Sequence, residues 1–238
     1  MDSGYSVRLG LMEDWYRDLL GQEDREQSFI LDYAPHRAFL EHLRGSVIDI
    51  GGGAGLAGRY LHSDVSYLVV EPSEMWSTPE WVEFGAKFRA SGPKPKFVSA
   101  TGEKLPFPGG EFDIALSLWT LNHVRDPAAC VREMARVLKP GGEARIVLED
   151  VEPSWPDLFR DGLRRVAGRL AGRRGAAGIH MRLVPAFRAK LAGRWPLQQD
   201  HSRIDDHDLI LWLRDAFEVR RRSWIAGCLT YDVVKPAG

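Results

Sequence analysis

The chain has 238 residues, of which 44% are apolar and 27% are charged, and its formal net charge is −1. These proportions resemble those of ordinary globular proteins, and they exclude a collagen, a coiled-coil array and a wholly disordered chain. The charge balance also argues against a dedicated nucleic-acid binder, which would need a large excess of lysine and arginine. The length predicts one folded α/β domain with an appendage, a size that can bury a full hydrophobic core.

Neither the N-terminus nor the cysteines indicate export. The N-terminal segment lacks the basic start, apolar stretch and cleavage site of a secretory signal, and no run of about 18 apolar residues could span a membrane. Cys130 and Cys228 cannot form a C-x-x-C metal clamp, and a single pair is weak support for a disulfide. The sequence therefore predicts a cytoplasmic, unanchored protein with idle thiols.

Residues 1–44 are predicted to be helical. Aromatic side chains occur there at Tyr5, Trp15 and Tyr16, and apolar residues recur at helical spacing in residues 37–43. We expect this segment to pack against the following domain or to close over a site in it.

Residues 45–150 alternate between short apolar runs and helical patterns. The apolar runs are predicted strands, and they read VIDI, VSYLVVEP, KFVSA, FDIALSL and ARIVLED. This alternation predicts parallel strands with helical crossovers on both faces, a Rossmann-like, doubly wound α/β fold. In that fold ligands bind beyond the carboxyl ends of the strands. We therefore expect this segment to be the cofactor-binding core.

The pattern changes after Asp150. Residues 151–200 hold ten Lys and Arg against four Asp and Glu, a local charge of +6, and they predict a basic helical cap interrupted by glycines. Residues 201–238 contain a helix pattern that Asp205 or Asp206 would cap, and then two strand patterns. These last two strands would complete a mostly parallel core sheet of seven strands.

A glycine cluster follows the first predicted strand. Asp49 closes the strand, and Gly51, Gly53 and Gly55 remove side chains that would keep a ligand away from the backbone. Such a loop typically holds an adenosine-type cofactor. It could also be a glycine turn that makes a tight join between a strand and a helix.

A nicotinamide dinucleotide is the main rival cofactor. Residues 53–58 also satisfy G-x-G-x-x-G, with Glu71 farther along to take ribose hydroxyls. The register argues against this interpretation, because the glycine that follows the strand directly is Gly51, and the third glycine position then falls on Leu56. Asp49 would also repel a pyrophosphate, whereas an amino group or a sulfonium would attract it.

Four blocks in this order resemble the class I S-adenosylmethionine-dependent methyltransferases, particularly those with small-molecule substrates. The resemblance spans roughly residues 37–150. The blocks are VIDIGGGAG, VVEPSEM, GEKLPFPGGEFDIALS and REMARVLKPGGEARI. The ordered combination is far more specific than any one block.

The resemblance implies how the chain would hold the cofactor. Gly51, Gly53 and Gly55 would lie against the methionine and ribose parts of S-adenosylmethionine. Asp49 would lie near its amino group, directly or through water. Glu71 would accept both ribose hydroxyls, a bidentate use of a carboxylate.

The resemblance also implies contacts with the adenine and the sulfonium. Pro72 and Met75 would flank the adenine, and Ser117 would lie near the sulfonium. The place where the family often has an Asp for the adenine amine corresponds here to Thr101, Gly102 and Glu103. Because Thr101 replaces that Asp, the contact would shift to the backbone or to Glu103.

Two histidines are candidate catalytic residues. Methyl transfer is an in-line displacement at a carbon that is already activated, so the protein mainly positions the reactants and no metal is required. A hydroxyl nucleophile benefits from a general base, and an amine must be neutral. His201 is the first candidate base, at a position where relatives often line the substrate cleft, and His123 is the second. Each could instead be a loop or packing residue.

The candidate substrate-binding residues are Tyr16, Trp119 and His201. Tyr16 lies in the segment that relatives fold as a lid over the cofactor, together with Tyr5 and Trp15. Trp119 follows the fourth predicted strand. Residues 117–123 lack the N-P-P-Y or D-P-P-Y motif that related families use to methylate adenine or glutamine, which removes support for a nucleobase substrate.

The sequence thus predicts methylation of an oxygen or nitrogen of a small metabolite, in specialised or sugar-related biosynthesis, by a monomer or homodimer. One alternative is a protein that binds the cofactor without methyl transfer, and another is an enzyme that methylates a macromolecule. Nucleic acid is disfavoured because few aromatic residues lie among the arginines of the cap. An acceptor with a phosphate or carboxylate would suit the guanidinium groups of Arg164, Arg165, Arg169, Arg173 and Arg174.

Overall fold

A computed structural model describes residues 3–170 and 183–238 of the chain. Its centre is one sheet of seven strands in the order β3-β2-β1-β4-β5-β7-β6. The strands are β1 Ser46–Ile50, β2 Ser66–Val70, β3 Lys96–Val98, β4 Phe112–Leu118, β5 Leu138–Leu148, β6 Glu218–Ile225 and β7 Cys228–Val234. Strands β1 to β5 are parallel to one another, and β7 runs antiparallel to both β5 and β6. The predicted seven-stranded, mostly parallel α/β sheet is confirmed.

Helices cover both faces of the sheet. They are α1 Ser3–Leu20, α2 Arg25–Tyr33, α3 Arg37–Leu40, α4 Pro79–Arg89, α5 Pro127–Val137, α6 Trp155–Leu170, α7 Leu183–Leu191 and α8 Asp206–Ala216. The predicted cap of α8 is Asp205, whose carboxylate accepts the backbone N–H of His207 at 2.7 Å. None of the described helices combines the length and apolarity that crossing a membrane requires.

The apolar strands explain why the sheet is buried on both faces. On one face, Met134 of α5 and Leu213 of α8 pack with Ile48 and Ile146 of the sheet. On the other face, residues of α3 pack with Val47 and other strand residues. Parallel strands covered on both sides become continuous apolar runs. Their carboxyl ends therefore meet at a single edge, where polar residues can gather.

One element differs from the sequence pattern. The alternation of strands and helical patterns predicts a helix after the glycine loop, but this stretch forms only a 3-10 turn, Leu56–Tyr60. Gly58 lies inside it, and glycine disfavours a helix interior by about 1 kcal/mol relative to alanine. A Cβ at Gly58 would also lie 2.7 Å from Arg89 Cδ, so this position needs glycine for packing.

An aromatic cluster joins the N-terminal helices to the glycine loop. Phe29 of α2 packs with Trp76 and Trp81, and Tyr16 of α1 lies against all three rings. The same cluster includes Ala54 and Leu56 of the loop. The roles of lid and cap, and the division of the chain at residues 44, 150 and 200, stay predictions. Arg173 and Arg174 lie outside the described residues.

Candidate functional site

A cavity of about 720 Å³ opens at the carboxyl edge of the sheet. Its wall is formed by the residues that follow β1, β2, β4 and β5, by the β6–β7 turn, and by parts of α1 and α2. This is the edge where doubly wound sheets bind ligands. The volume is within the range of about 300 to 1,000 Å³ that is typical of small-molecule sites.

The glycine loop needs its glycines for the backbone as well as for ligand access. Gly51, Gly53 and Gly55 have φ angles of 68°, 51° and 71°, in the left-handed region that favours glycine. A Cβ at Gly51 would lie 2.2 Å from Cγ2 of Thr120. Gly51 and Gly53 line the cavity, whereas Gly55 is not part of the wall, and a Cβ there would lie 3.0 Å from Cγ of Pro95.

Glu71 lies directly after β2 and lines the cavity beside the glycine loop. Its Oε2 accepts the N–H of Gly53 at 3.2 Å, and its Oε1 accepts the N–H of Ser73 at 3.0 Å. Burial raises the pKa of Glu71 to about 7, although the two backbone hydrogen bonds lower it. Each carboxylate oxygen has a second lone pair for a ligand hydroxyl, so the group can hold a ribose without losing its backbone contacts.

Asp49 supports the loop from behind rather than forming the wall. It is 1% exposed, and the hydroxyl of Tyr67 donates to its Oδ2 at 2.6 Å. Its Oδ1 has no hydrogen-bond partner among the described residues. Burial raises the pKa of Asp49 to about 7, although the Tyr67 hydrogen bond lowers it. Gly52 separates this carboxylate from the cavity, because a Cβ there would lie 2.5 Å from Oδ2. Only the water-mediated version of the predicted contact suits this position.

The other predicted cofactor residues divide into two groups. Residues that line the cavity are Pro72, Thr101, Gly102 and Glu103. Met75 and Ser117 are not in the wall: Met75 packs against the aromatic cluster, and Ser117 is fully buried within β4. Trp76 and Thr120 stand in the wall near the positions expected for these two residues.

His201 is buried in the part of the wall that follows β5. Its Nδ1 lies 2.9 Å from Oδ2 of Asp150, and because a carboxylate accepts, Nδ1 carries the proton. Its Nε2 lies 3.6 Å from Oε1 of Glu149 and 4.0 Å from Oδ2 of Asp200. Burial alone would lower the pKa of His201, but the Asp150 hydrogen bond and the surrounding carboxylates raise it overall. An imidazole oriented by a carboxylate in this way can accept a proton at Nε2.

His123 lies beside His201 and has the opposite electrostatic character. The two ring centroids are 4.6 Å apart, and the rings meet edge to face. Burial and the positive charge of His201 lower the pKa of His123 to about 4, although Asp200 raises it. Burial and nearby carboxylates raise the pKa of Glu149 to about 7, although His201 lowers it. His123 is therefore neutral at physiological pH, and the proton-exchanging groups are His201 and Glu149.

Two imidazoles and a carboxylate could in principle share a metal ion. The donor atoms of His123, Asp200 and His201 all lie within 4.8 Å of one another. Ligands of a tetrahedral zinc ion, with bonds of about 2.1 Å, are only about 3.5 Å apart. Oδ2 of Asp200 lies 3.8 Å from Nδ1 of His123 and 4.0 Å from Nε2 of His201, wider than this spacing, so we interpret the group as a hydrogen-bonding and proton-accepting cluster. That no metal is needed stays a prediction.

Aromatic residues form much of the remaining wall. Trp119 lines the cavity, donates its indole N–H to Sγ of Cys228 at 3.3 Å, and meets the ring of Tyr33 edge to face. Tyr16 also lines the cavity, as the sequence predicts. Trp119 and Asp150 both have positive φ angles, 58° and 57°. Such backbone strain in non-glycine residues concentrates at functional sites.

Several residues of the wall were not predicted from the sequence. The most relevant ones are Asp32, Tyr33, His36, Glu149, Asp150 and Asp200. Glu149 and Asp150 follow β5 as Glu71 follows β2, so the rule that identified Glu71 could have found them. Asp32 and Tyr33 of α2, and His36 just before α3, give no local signal, because only the tertiary fold brings them to this edge.

Comparisons with known proteins agree with this geometry. Residues 48–146 match the sequence profile of a family described as "Methyltransferase domain". An uncharacterized methyltransferase of Mycobacterium sp. (strain JLS) is 37% identical over 100 residues, which are 42% of this chain and 36% of that protein. The chain thus spans about a third of the length of this relative.

Solved structures with little sequence similarity share the fold. One is a methyltransferase in complex with the Trm112 methyltransferase activator of Haloferax volcanii, with 18% identity, a TM-score of 0.57 and 99% of each chain covered. Another is the [4+2]-cyclase SpnF, with 16% identity, a TM-score of 0.58, and 87% of this chain and 81% of that one covered. The profile match and the fold confirm the family resemblance of the motifs. Residues 48–146 thus match the methyltransferase domain family, and the sheet has the fold of solved S-adenosylmethionine-dependent methyltransferases.

Proposed function

We propose that this chain transfers a methyl group from S-adenosylmethionine to an oxygen or nitrogen of a small metabolite. One observation carries the proposal: a single cavity has the glycine loop and Glu71 at one end and the His201–Asp150 pair at the other. A cofactor held at the first end would direct its reactive methyl group toward a proton-accepting cluster. A specialised or sugar-related pathway stays a prediction from the sequence.

The residues at the loop end fit the methionine and adenosine parts of the cofactor. Glu71 offers free carboxylate lone pairs to ribose hydroxyls, and the buried Asp49 retains one oxygen without a protein partner among the described residues. When bound, the cofactor supplies a methyl group on a positively charged sulfur. The two carboxylates provide the negative charge that such a ligand favours.

The residues at the other end fit the acceptor. His201 can take the proton that the nucleophile loses, and Asp150 holds its ring in the tautomer that leaves Nε2 free to accept. Trp119 and Tyr16 provide an apolar wall against which an acceptor can be positioned at reacting distance. The cavity volume supports a small acceptor rather than a macromolecule.

The test is release of S-adenosylhomocysteine when the chain is incubated with S-adenosylmethionine and a panel of small amines and alcohols. We expect His201→Ala to reduce turnover by about a hundredfold to ten-thousandfold, because a general base is lost, with cofactor affinity unchanged. His207→Ala, which removes an exposed histidine of α8, is the matched control. Near-normal turnover of His201→Ala would make His201 a structural residue.

A second candidate is a protein that binds the cofactor without transferring a methyl group. The neighbour named as a [4+2]-cyclase shows that this fold also occurs in a protein described by a different reaction. Cofactor binding without any release of S-adenosylhomocysteine over the acceptor panel would favour this candidate. Because one neighbour was solved with an activator protein, the assay also includes a check of oligomeric state, for which we propose a monomer or homodimer.

A further inference from the structure

The charged side chains that line the cavity are acidic. Carboxylates that line it are Asp32, Glu71, Glu103, Glu149, Asp150 and Asp200, and no lysine or arginine belongs to the wall over the described part of the chain. Glu71 and Glu103 lie at the cofactor end. The other four, Asp32, Glu149, Asp150 and Asp200, are here called the acidic end.

Among the described residues of the wall, only a protonated His201 supplies positive charge at the acidic end. His123 and His36 are neutral at physiological pH, because burial lowers the pKa of each to about 4. Carboxylate oxygens of Asp150, Glu149 and Asp200 lie 2.9, 3.6 and 4.0 Å from the ring nitrogens of His201. One imidazolium cannot balance Asp150, Asp200 and the ionised fraction of Glu149, whose pKa is raised to about 7, and partly buried like charges repel strongly. A ligand that brings a positive charge would relieve this repulsion, and an anionic ligand would increase it.

Aromatic rings line the same cavity. Trp15, Tyr16, Tyr33 and Trp119 all belong to its wall. Aromatic faces attract organic cations by cation–π interaction, and carboxylates add direct ion pairing. This combination of rings and carboxylates is suited to an ammonium group carried on a small organic molecule.

Among the arginines that led us to expect an anionic acceptor, only Arg164 has a described side chain, and it does not line the cavity. Arg164 lies at a separate surface depression of about 70 Å³, with Asp157, Asp161 and Arg222. Arg173 and Arg174 lie outside the described residues. Arg8 is near enough for its charge to act on His123, but it is not part of the wall.

We propose that the acceptor is a small amine, which enters in its protonated form at the acidic end and is methylated on its nitrogen. This rests on the proposed function. The ammonium first gives one proton to the His201 cluster, leaving a neutral nitrogen with a free electron pair. That pair forms the bond to the methyl carbon while the electrons of the broken carbon–sulfur bond stay on sulfur, so the positive charge ends on the methylated nitrogen. The cluster then returns its proton to water.

The experiment compares three probes that share a skeleton and differ in charge: 3-phenylpropylamine, 3-phenylpropanol and 3-phenylpropionate. Binding of each is measured by calorimetry with saturating S-adenosylhomocysteine. We expect the amine to bind at least about tenfold more tightly than the alcohol, and the carboxylate to bind most weakly, because charge-assisted contacts add to affinity. Equal binding of all three, or preference for the carboxylate, would overturn the proposal.

Substitutions at the acidic end test which carboxyl groups are responsible for the preference for the amine. Glu149→Gln and Asp200→Asn each replace one carboxyl group of the acidic end by an amide, and we expect each to weaken amine binding about tenfold without changing alcohol binding. Glu83→Gln, which removes an exposed carboxylate of α4, is the matched control and should change neither. Amine preference that survives in both cavity variants would contradict the assignment. Since the probe series uses the unaltered chain, a variant that fails to fold leaves the main comparison intact.

The design separates the two proposals. If S-adenosylhomocysteine binds but the amine has no advantage, the acceptor class is wrong and the proposed function stands. If S-adenosylhomocysteine does not bind, the proposed function fails with it. Tight binding of Mn²⁺ that is lost in Asp200→Asn, without any amine preference, would overturn the proposal in favour of a metal centre.

Discussion

At the scale of single residues, the position of Glu71 explains how one carboxylate can hold both the protein and a ligand. Its backbone partners Gly53 and Ser73 belong to the glycine loop and to the turn after β2. These contacts fix the orientation of the carboxylate before a ligand arrives, which lowers the entropic cost of binding. The arrangement makes Glu71 the most direct residue test of cofactor binding.

We expect Glu71→Ala to weaken binding of S-adenosylmethionine by about 2 to 3 kcal/mol, the loss of two charge-assisted hydrogen bonds. Calorimetry measures this change directly. Glu74→Ala, a substitution at an exposed position three residues away that does not line the cavity, is the control and should bind normally. A folded Glu71→Ala protein with unchanged affinity would remove the assignment.

The pH dependence of turnover tests His201. The carboxylates that face its ring are Asp150 and Glu149 after β5 and Asp200 beside it in the chain. The ring of His123 also faces it, and the charge of Arg8 contributes to the lowered pKa of His123. Because these carboxylates raise the pKa of His201 and only the neutral ring can act as a base, kcat/KM should fall as pH decreases through that raised pKa. Asp150→Asn removes the hydrogen-bonded charge and should shift the fall to lower pH. A profile that does not move would exclude His201 as the titrating base.

Predicted site residues that end a strand line the cavity, whereas packing decides the position of the others. Glu71 and Thr101 follow strands and reach the cavity, as expected from the edge rule for parallel sheets. Met75 was expected at the adenine, but the neighbouring Trp76 lines the cavity instead. Which of two adjacent apolar side chains faces a cavity depends on the aromatic cluster around them, and local sequence does not contain that information.

At the scale of elements, the glycine loop joins β1 to the residues after β4. Gly51 combines a positive φ of 68° with a Cβ position 2.2 Å from Thr120. Thr120 itself donates its hydroxyl to the carbonyl of Ile50 at 2.9 Å. A side chain at position 51 would therefore separate the loop from the end of β4, and the cavity wall would change with it.

Gly51→Ala should destabilise the protein more than a simple backbone effect predicts. Left-handed backbone costs a non-glycine residue about 1 to 2 kcal/mol, and the clash with Thr120 adds about 1 to 3 kcal/mol of overpacking. Gly110→Ala separates the two effects, because Gly110 has a φ of 74° but nothing within 4 Å of its Cβ position. Equal losses of unfolding free energy in denaturant titrations of the two variants would show that the contact with Thr120 is unimportant.

Element types were predictable because burial on both faces leaves apolar runs, as in β1 and β4, and because helix ends have side-chain signals such as Asp205. The placement of α2 over the cavity was not predictable. Its contribution depends on contacts between Phe29 and the ring of Trp81, far apart in the chain. The 3-10 turn after the loop differs from the helix pattern because packing against Arg89 requires Gly58.

At the scale of the whole molecule, buried and partly buried carboxyl groups in and behind the cavity wall lower the stability of the ligand-free protein at neutral pH. Burial raises the pKa values of Asp49, Glu71 and Glu149 to about 7. An acid whose folded pKa is raised contributes stability that is present below its unfolded pKa and lost as pH rises through the folded pKa. These groups therefore favour the folded state near pH 4 and lose that contribution by about pH 7.

Asp49→Asn tests this cost at one position. The amide does not titrate, so the variant should gain stability relative to the natural chain as pH rises from about 4.5 to 7.5, by on the order of 2 to 4 kcal/mol. Comparing the two proteins at each pH cancels the groups they share. The measurement is the free energy of unfolding in urea. A constant difference across this range would contradict a raised pKa for Asp49.

A crystal structure with S-adenosylhomocysteine tests most directly whether one cavity places the cofactor's sulfur opposite the His201 cluster. We predict that the ribose hydroxyls bind Glu71, that the methionine part follows the glycine loop at Gly51 and Gly53, and that the sulfur opens toward His201. A cofactor bound elsewhere would contradict the account. So would a cofactor bound at the loop with its sulfur walled off from the acidic end.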